Sequence, residues 1–337
     1  MSESTGRPTI RDVAARAGVS KSLVSLVLQG GHNVGPERLR AVEQAIAELG
    51  FRPNESARSL SQSRTHTAGL LLNDMRNPWF VDLVEAAVAV LHDAGLFPLL
   101  ADSHLEQRAG RDPAEVFLNQ RIEGLLVVGT TAEPSVVREV AERIPTVLAG
   151  TREPTVTSAD VVVNDDEVGG RLATEHLLTL GHRRITLLEA PGIVGALRRR
   201  GYEQAMSAAG LGRLVTVESG DSTEAGGYEA GLRILRSEDR PTALVAYNDV
   251  SAVGVLSAAT EFGLDVPRDV SIVGYDDTYL ARIRHIGLTS VDNRNADVGR
   301  IAAEFLAARI ADPGGEARLE TVTPAVIVRR SSGRPPS

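Results

Sequence analysis

TIRDVAARAGVSKSLVSLVLQ, residues 9–29, is the stretch on which the fold of this chain turns. Ile10, Val13, Ala14 and Ala17 recur at helical spacing. Thr9, with Asp12 three residues on, supplies a cap at the positive end of the helix dipole. Gly18 accepts the positive φ of a tight turn. Ser20 then caps a second helix, with Leu23, Val24, Val27 and Leu28 as its buried stripe and Lys21, Ser22 and Ser25 on its outer face. Two short helices joined by a glycine turn predict a helix-turn-helix. A helix of about eight residues is about 12 Å long, short enough for a major groove about 12 Å wide. The same spacing fits an αα corner inside a helical domain, so this stretch alone leaves both readings open.

The residues that follow decide between them. PERLRAVEQAIAEL, 36–49, is a third helical pattern with Leu39, Val42, Ile46 and Leu49 apolar and Gly50 as its stop. FRPNESARSLSQSRT, 51–65, comes next. Through TIRDVAARAGVS (9–20), the pair Val24–Ser25 and LGFRPNESARSL (49–60), in this order and spacing, the chain resembles the lactose-repressor/galactose-repressor family of bacterial transcription regulators. The resemblance continues through nearly the whole chain. It implies that Lys21 and Ser22 reach base edges and that Leu26 stands where many relatives carry a polar residue. A leucine cannot donate to guanine but can touch a thymine methyl. Thr9, Ser20, Ser25 and Asn33 are then candidates for phosphate contacts, which position without specifying sequence. In the hinge, Ala57, Arg58 and Leu60 fall on DNA-contacting positions, Leu60 as an apolar wedge in the minor groove.

A chain of 337 residues can hold two or three cores. The net charge of −8 argues against nucleic acid until its distribution is considered. Residues 1–64 carry nine Lys/Arg against six Asp/Glu, and the remainder 27 against 38. A mildly basic head on an acidic body suits a DNA-binding module whose body stays off the duplex. The absence of cysteine excludes disulfides and thiolate chemistry and fits a reducing compartment. No apolar leader and no run of 18 apolar residues occurs, so a cytoplasmic location with no membrane partner is expected.

From residue 66 short apolar runs alternate with amphipathic helical patterns. Strands are predicted at 68–72, 97–101, 124–128, 146–149, 161–163, 185–188, 215–217, 243–246 and 271–273, with helices such as 80–94, 167–180, 197–209, 227–236 and 250–262 between them. Such alternation indicates parallel sheets covered on both faces. The expected class is α/β: a three-helix helix-turn-helix head and hinge helix, then two doubly wound subdomains like those of periplasmic binding proteins. The expected bounds are 1–53 for the head, 54–65 for the hinge and linker, and 66–330 for the core. Within the core, 66–164 with 292–323 form one subdomain and 165–291 with 324–330 the other, the chain crossing near Asn164, Val291 and Thr323. The tail 331–337 has no apolar period and is expected to be disordered. No leucine heptads follow the second subdomain, so a dimer is expected rather than a coiled-coil tetramer.

The catalytic patterns G-x-S-x-G, Walker loop, G-x-G-x-x-G and H-E-x-x-H are all absent. The histidines lack ligand spacing; His182, after Gly181, reads as a helix-end residue, and no metal or cofactor is implied. Ligands of open α/β sheets sit beyond the carboxyl ends of strands. Polar residues cluster there in GLLLNDMRNPWF (Asp74, Asn77, Trp79, Phe80), LLEAPGIVGALRRRGY (Arg198), LVAYNDVSAVG (Asn248, Asp249) and SIVGYDDTYL (Asp276, Asp277). Carboxylates accept hydroxyl hydrogens, a guanidinium donates a fork, and an aromatic face stacks on a ring. Each has a plainer alternative: Asp249 an N-cap, Trp79 a core residue, Asp277 a solvated acid, Arg198 part of a charge run. The resemblance places Arg198, Asn248, Asp249 and Asp276 on effector-contacting positions, and Trp79 and Phe80 on aromatic first-loop positions. Ser222 stands where many relatives have an aromatic, which suits a sugar or polyol better than a flat base. The expectation is a dimeric, non-enzymatic repressor binding pseudo-palindromic operator DNA and a small polar effector. The alternative is a periplasmic-type sugar-binding protein, against which the head of 60 residues argues.

Overall fold

The computed structural model describes residues 8–28, 34–51, 65–111, 113–130, 134–237 and 239–336. The chain divides into two compact units, 1–65 and 66–337.

The first unit carries α1 (Ile10–Ala17), α2 (Lys21–Leu28) and α3 (Pro36–Leu49). The backbone N–H and hydroxyl of Thr9 both donate to Asp12 Oδ2 at 2.7 Å, closing the first turn. These bonds hold the Asp12 carboxyl below its ordinary range. Gly18, at φ 66°, ends α1, and Ser20 Oγ accepts the Leu23 N–H at the start of α2. Val13, Ala14, Val24, Val42 and Ala45 are buried together, with Ile10, Val27, Leu28, Ile46 and Phe51 packed around them. The stripes read from sequence therefore meet in one small core.

The second unit holds two six-stranded sheets. In chain order its elements begin β1 (Thr67–Leu72), α4 (Trp79–Asp93), β2 (Phe97–Asp102), α5 (Ser103–Arg108), α6 (Pro113–Asn119), β3 (Gly124–Val128), α7 (Pro134–Ala141), β4 (Thr146–Ala149) and β5 (Asp160–Asn164). They continue with α8 (Asp166–Thr179), β6 (Ile185–Glu189), α9 (Ile193–Ala208), β7 (Thr216–Ser219), α10 (Glu224–Arg236), β8 (Ala243–Val245), α11 (Asp249–Glu261), β9 (Ser271–Tyr275) and α12 (Tyr279–Arg282). The last are β10 (Thr289–Asp292), α13 (Asn295–Ala311), β11 (Leu319–Val322) and β12 (Ala325–Ile327). The sheet orders are β11-β5-β4-β3-β1-β2 and β12-β10-β9-β8-β6-β7. Every pairing is parallel except β10 with β12. The central strands are buried throughout, as parallel strands covered on both faces must be.

The chain passes between sheets after Asn164, after Asp292 and after Val322, so neither half is a continuous segment. Helices α8 and α9 cross where Gly170 faces the carbonyl of Arg198 and Gly201 faces the carbonyl of Glu167. Neither position has room for a Cβ. This close approach fixes α9, and with it Arg198, against the first turn of α8.

The segment 331–336 departs from the disorder expected of it. Ile272 N–H donates to Ser331 O at 2.8 Å, Ser331 Oγ donates to Ile272 O at 2.6 Å, and Gly333 N–H donates to Ser271 Oγ at 3.0 Å. His182, buried just past the end of α8 where its N–H donates to Leu177 O, bonds Thr242 Oγ1 at 2.8 Å and the Gly333 carbonyl at 2.9 Å. Composition registers missing apolar area, whereas here hydroxyls and backbone groups fix the segment.

Candidate functional site

In the first unit, Lys21 and Ser22 are exposed at the start of α2, and Leu26 is 39% exposed one turn on. These residues, with Ser25 and Ile10, line one shallow concavity. Burying Val24 leaves them on the outer side of α2, and Thr9 and Ser20 are exposed at the starts of the two helices. Asn33, Ala57, Arg58 and Leu60 lie outside the described residues.

In the second unit the carboxyl ends of both sets of strands open on one cavity of about 430 Å³. Asp74, Trp79 and Phe80 line it beyond β1; Arg198, Asn248 and Asp276 line it from the second sheet's elements. Trp79 and Phe80 meet edge to face, centroids 4.9 Å apart, and the Trp79 ring lies over Gly150, where no Cβ would fit. The Trp79 N–H is held by Asn77 Oδ1 at 3.0 Å. Asp74 pairs with Arg76 at 2.6 Å, which holds its carboxyl below the usual range.

Arg198 is the centre of the cavity floor. Its Nε donates to Asp166 Oδ1 at 2.9 Å and its Nη1 to the Tyr247 carbonyl at 2.6 Å, while Nη2 lies 3.5 Å from Asp276 Oδ1. Its guanidinium stacks 3.5 Å from the Tyr275 ring centroid and 4.9 Å from that of Tyr247. Burial works against its charge, but Asp166, Tyr275 and Asp276 more than offset this and the cation is secured. Asp276 sits at φ 101° and accepts from Asn293 Nδ2 at 3.1 Å. Burial pushes its carboxyl up to about 6 despite the opposing effect of Arg198. Asn248 is the N-cap of α11: Oδ1 accepts the Ser251 N–H at 2.8 Å and Nδ2 donates to Ser222 O at 3.1 Å.

Asp249 is not brought to this cavity. Its carboxylate turns inward, accepting from Thr278 N–H at 2.7 Å, Thr278 Oγ1 at 2.9 Å and Ser290 Oγ at 2.6 Å. The first residue of a helix points away from its neighbouring cap, so the expected pair Asn248–Asp249 is divided. Burial, then Asp276, raise the Asp249 carboxyl to about 7 against these hydrogen bonds. Asp277 also turns away, pairing with Arg329 at 2.5 Å.

Several lining groups were not named as effector contacts from sequence: Asn73, Glu153, Asp166, Asp221, Tyr247 and Asn293. Asp166 and Arg198 are an acid and a base 32 positions apart, and only the Gly170–Gly201 crossing brings them together. Asn293 had a local signal in Asn293-Arg294-Asn295, a polar triplet at a strand-to-helix passage.

Residues 9–54 match the model of bacterial regulatory proteins of the lacI family, and residues 174–332 match the periplasmic binding protein-like domain. The ribose operon repressor of Escherichia coli K12 is 34% identical over 330 residues, spanning 96% of this chain and 99% of that protein. The solved complex of the transcriptional regulator CelR with cellobiose is 31% identical, at a TM-score of 0.69 over 96% of this chain and 100% of that one. The lac repressor dimer bound to operator and the anti-inducer ONPF superposes at a TM-score of 0.84 over 97% of this chain and 100% of that one; at 24% identity it speaks to the fold alone.

Proposed function

Because the chain belongs to the lacI family of bacterial regulatory proteins, we propose that it represses transcription from pseudo-palindromic operator DNA under control of a small polyhydroxylated effector. The observation that carries this is the union in one chain of a helix-turn-helix unit and a two-sheet core with a polar cavity at its strand ends. Similar proteins include a ribose operon repressor and a regulator complexed with cellobiose, and a sugar suits a cavity of hydroxyl-accepting carboxylates walled by Trp79 and Phe80.

In this reading 1–53 is the DNA-binding head, 54–65 the hinge and linker, and 66–330 the effector core. Lys21, Ser22 and Leu26 meet base edges; Thr9, Ser20, Ser25 and Asn33 meet phosphates; Ala57, Arg58 and Leu60 act from the hinge. Asp74, Trp79, Phe80, Arg198, Asn248 and Asp276 hold the effector, with Asp166, Tyr247 and Asn293 added and Asp249 reassigned to support α11. The protein works in the cytoplasm as a homodimer and catalyses no reaction. Among the described residues no helix is long and apolar enough to cross a membrane. The second copy covers Val81 on α4 and Tyr279 and Ile283 at α12, which are apolar and 50%, 57% and 41% exposed. Asp82 and Arg282, 3.2 Å apart, join these two helices.

A gel-shift assay with DNA upstream of the chain's own coding sequence tests this reading. A specific band, altered by a ligand that also raises the melting temperature, is expected; no specific band overturns it.

A further inference from the structure

Among the described residues the cavity is lined by the carboxylates of Asp74, Glu153, Asp166, Asp221 and Asp276 against one guanidinium, that of Arg198. That single cation is already engaged. Its Nε is given to Asp166, its Nη1 to the Tyr247 carbonyl, and Asp276 stands 3.5 Å from Nη2. An anionic ligand entering here meets a surplus of like charge and no uncommitted cation to receive it.

One lining group lacks a partner. Asn293 is 1% exposed, and its Oδ1 accepts no hydrogen bond. Its orientation follows from its other end: Nδ2 donates to Asp276 Oδ1 at 3.1 Å, so the reversed amide would set oxygen against carboxylate oxygen. Its main-chain carbonyl accepts from Asn164 Nδ2, and the next residue, Arg294, is left-handed at φ 58°. Side chain and backbone are thus both fixed, and Oδ1 remains an acceptor in need of a donor. A buried acceptor without a partner is costly, and a ligand hydroxyl relieves that cost.

We infer that the cavity selects an uncharged polyhydroxylated ligand that donates a hydroxyl hydrogen to Asn293 Oδ1, and that it rejects the phosphate esters of the same sugars. This rests on the reading of the cavity as an effector site. A free sugar offers hydrogens to the carboxylates and to Asn293, whereas a phosphate brings about −1.5 to −2 charges and only acceptor oxygens at its ionised positions. Asn293 also lies where β10 passes into α13, bonded to the other crossing strand through Asn164, so its bond to the ligand is made at the passage between the two halves.

The test is calorimetry and thermal shift on the full chain with ribose against ribose 5-phosphate, glucose against glucose 6-phosphate, and monodeoxy analogues of whichever free sugar binds. At least one free sugar should bind at least about tenfold more tightly than its ester, and one monodeoxy analogue should lose about tenfold on the wild type but not on Asn293→Leu. The ligand-side comparison with the esters needs no variant to fold. An ester binding as tightly as its free sugar, or no free sugar binding, overturns the inference. So does an equal deoxy penalty on wild type and variant. An ester that binds and shifts operator affinity would leave the regulator reading standing, and failure to bind any operator DNA would overturn that reading instead.

Discussion

Arg198 was readable in the sequence as one arginine of a run of three, and nothing local distinguished it from Arg199 and Arg200. The structure separates them by burial: Arg198 is 7% exposed, while its neighbours face solvent and pair with Glu203 and Glu167. Replacing it by Met would leave Asp166 and Asp276 buried without their cation. Breaking a buried pair from one side costs about 3–5 kcal/mol, which urea denaturation of Arg198→Met should show. Asp249 was legible as a polar residue at the right place but not in its direction, because a helix start alone does not tell which of two adjacent side chains faces out. With its folded carboxyl raised to about 7 from 3.8, it is protonated in the folded protein before it is in the unfolded chain. The stability this lends is present below about pH 4 and lost as pH rises through 7. The stability of wild type relative to Asp249→Asn should therefore fall between pH 5 and pH 8. A difference that does not change with pH would contradict the assignment.

Among the elements, central strands such as 124–128 were plain in the sequence, because a strand buried on both faces is an unbroken apolar run. β10 and β11 were marked only as the short patterns before the crossings near Val291 and Thr323, and β12 was not read at all. Leu319–Val322 is an edge strand with most of its side chains exposed, and Thr289 and Ser290 in β10 are buried polar residues whose hydroxyls serve Ser332 and Asp249. Apolar patterning has no means of marking a strand of that kind. The hinge, 54–62, is a different case. Its segment 54–60, NESARSL, lies outside the described residues; it is shorter than the about 12–15 residues a helix needs to persist alone in water, which motivates the proposal that it becomes helical only on operator DNA. In the proposed reading, an apolar wedge at Leu60 would unstack a base step in the minor groove. Leu60→Ser should weaken specific operator binding far more than non-specific binding in competition gel shifts, and an equal loss of both would remove the wedge.

For the whole molecule, the division into a head and a two-sheet core was visible from the change of pattern near residue 66, and the triple crossing is what makes control possible. In the proposed reading, the three short connections let the halves reorient while each keeps its sheet. A homodimer built on Val81, Tyr279 and Ile283 should sediment as such at micromolar concentration without DNA, with Val81→Glu producing monomers that retain the wild-type fold. A ligand that touches Trp79 and Phe80 from one half and Arg198 and Asp276 from the other favours one orientation of the halves, and only that differential contact can shift an equilibrium. Coupling of about 1–3 kcal/mol would alter operator affinity about 5- to 150-fold, and linkage requires the operator to alter ligand affinity by the same factor. The most direct test is a calorimetric titration of the free sugar that binds, with and without saturating operator DNA. The two dissociation constants should differ by the factor by which that sugar changes operator affinity, and identical constants for a ligand displaced by Trp79→Ala would contradict the mechanism.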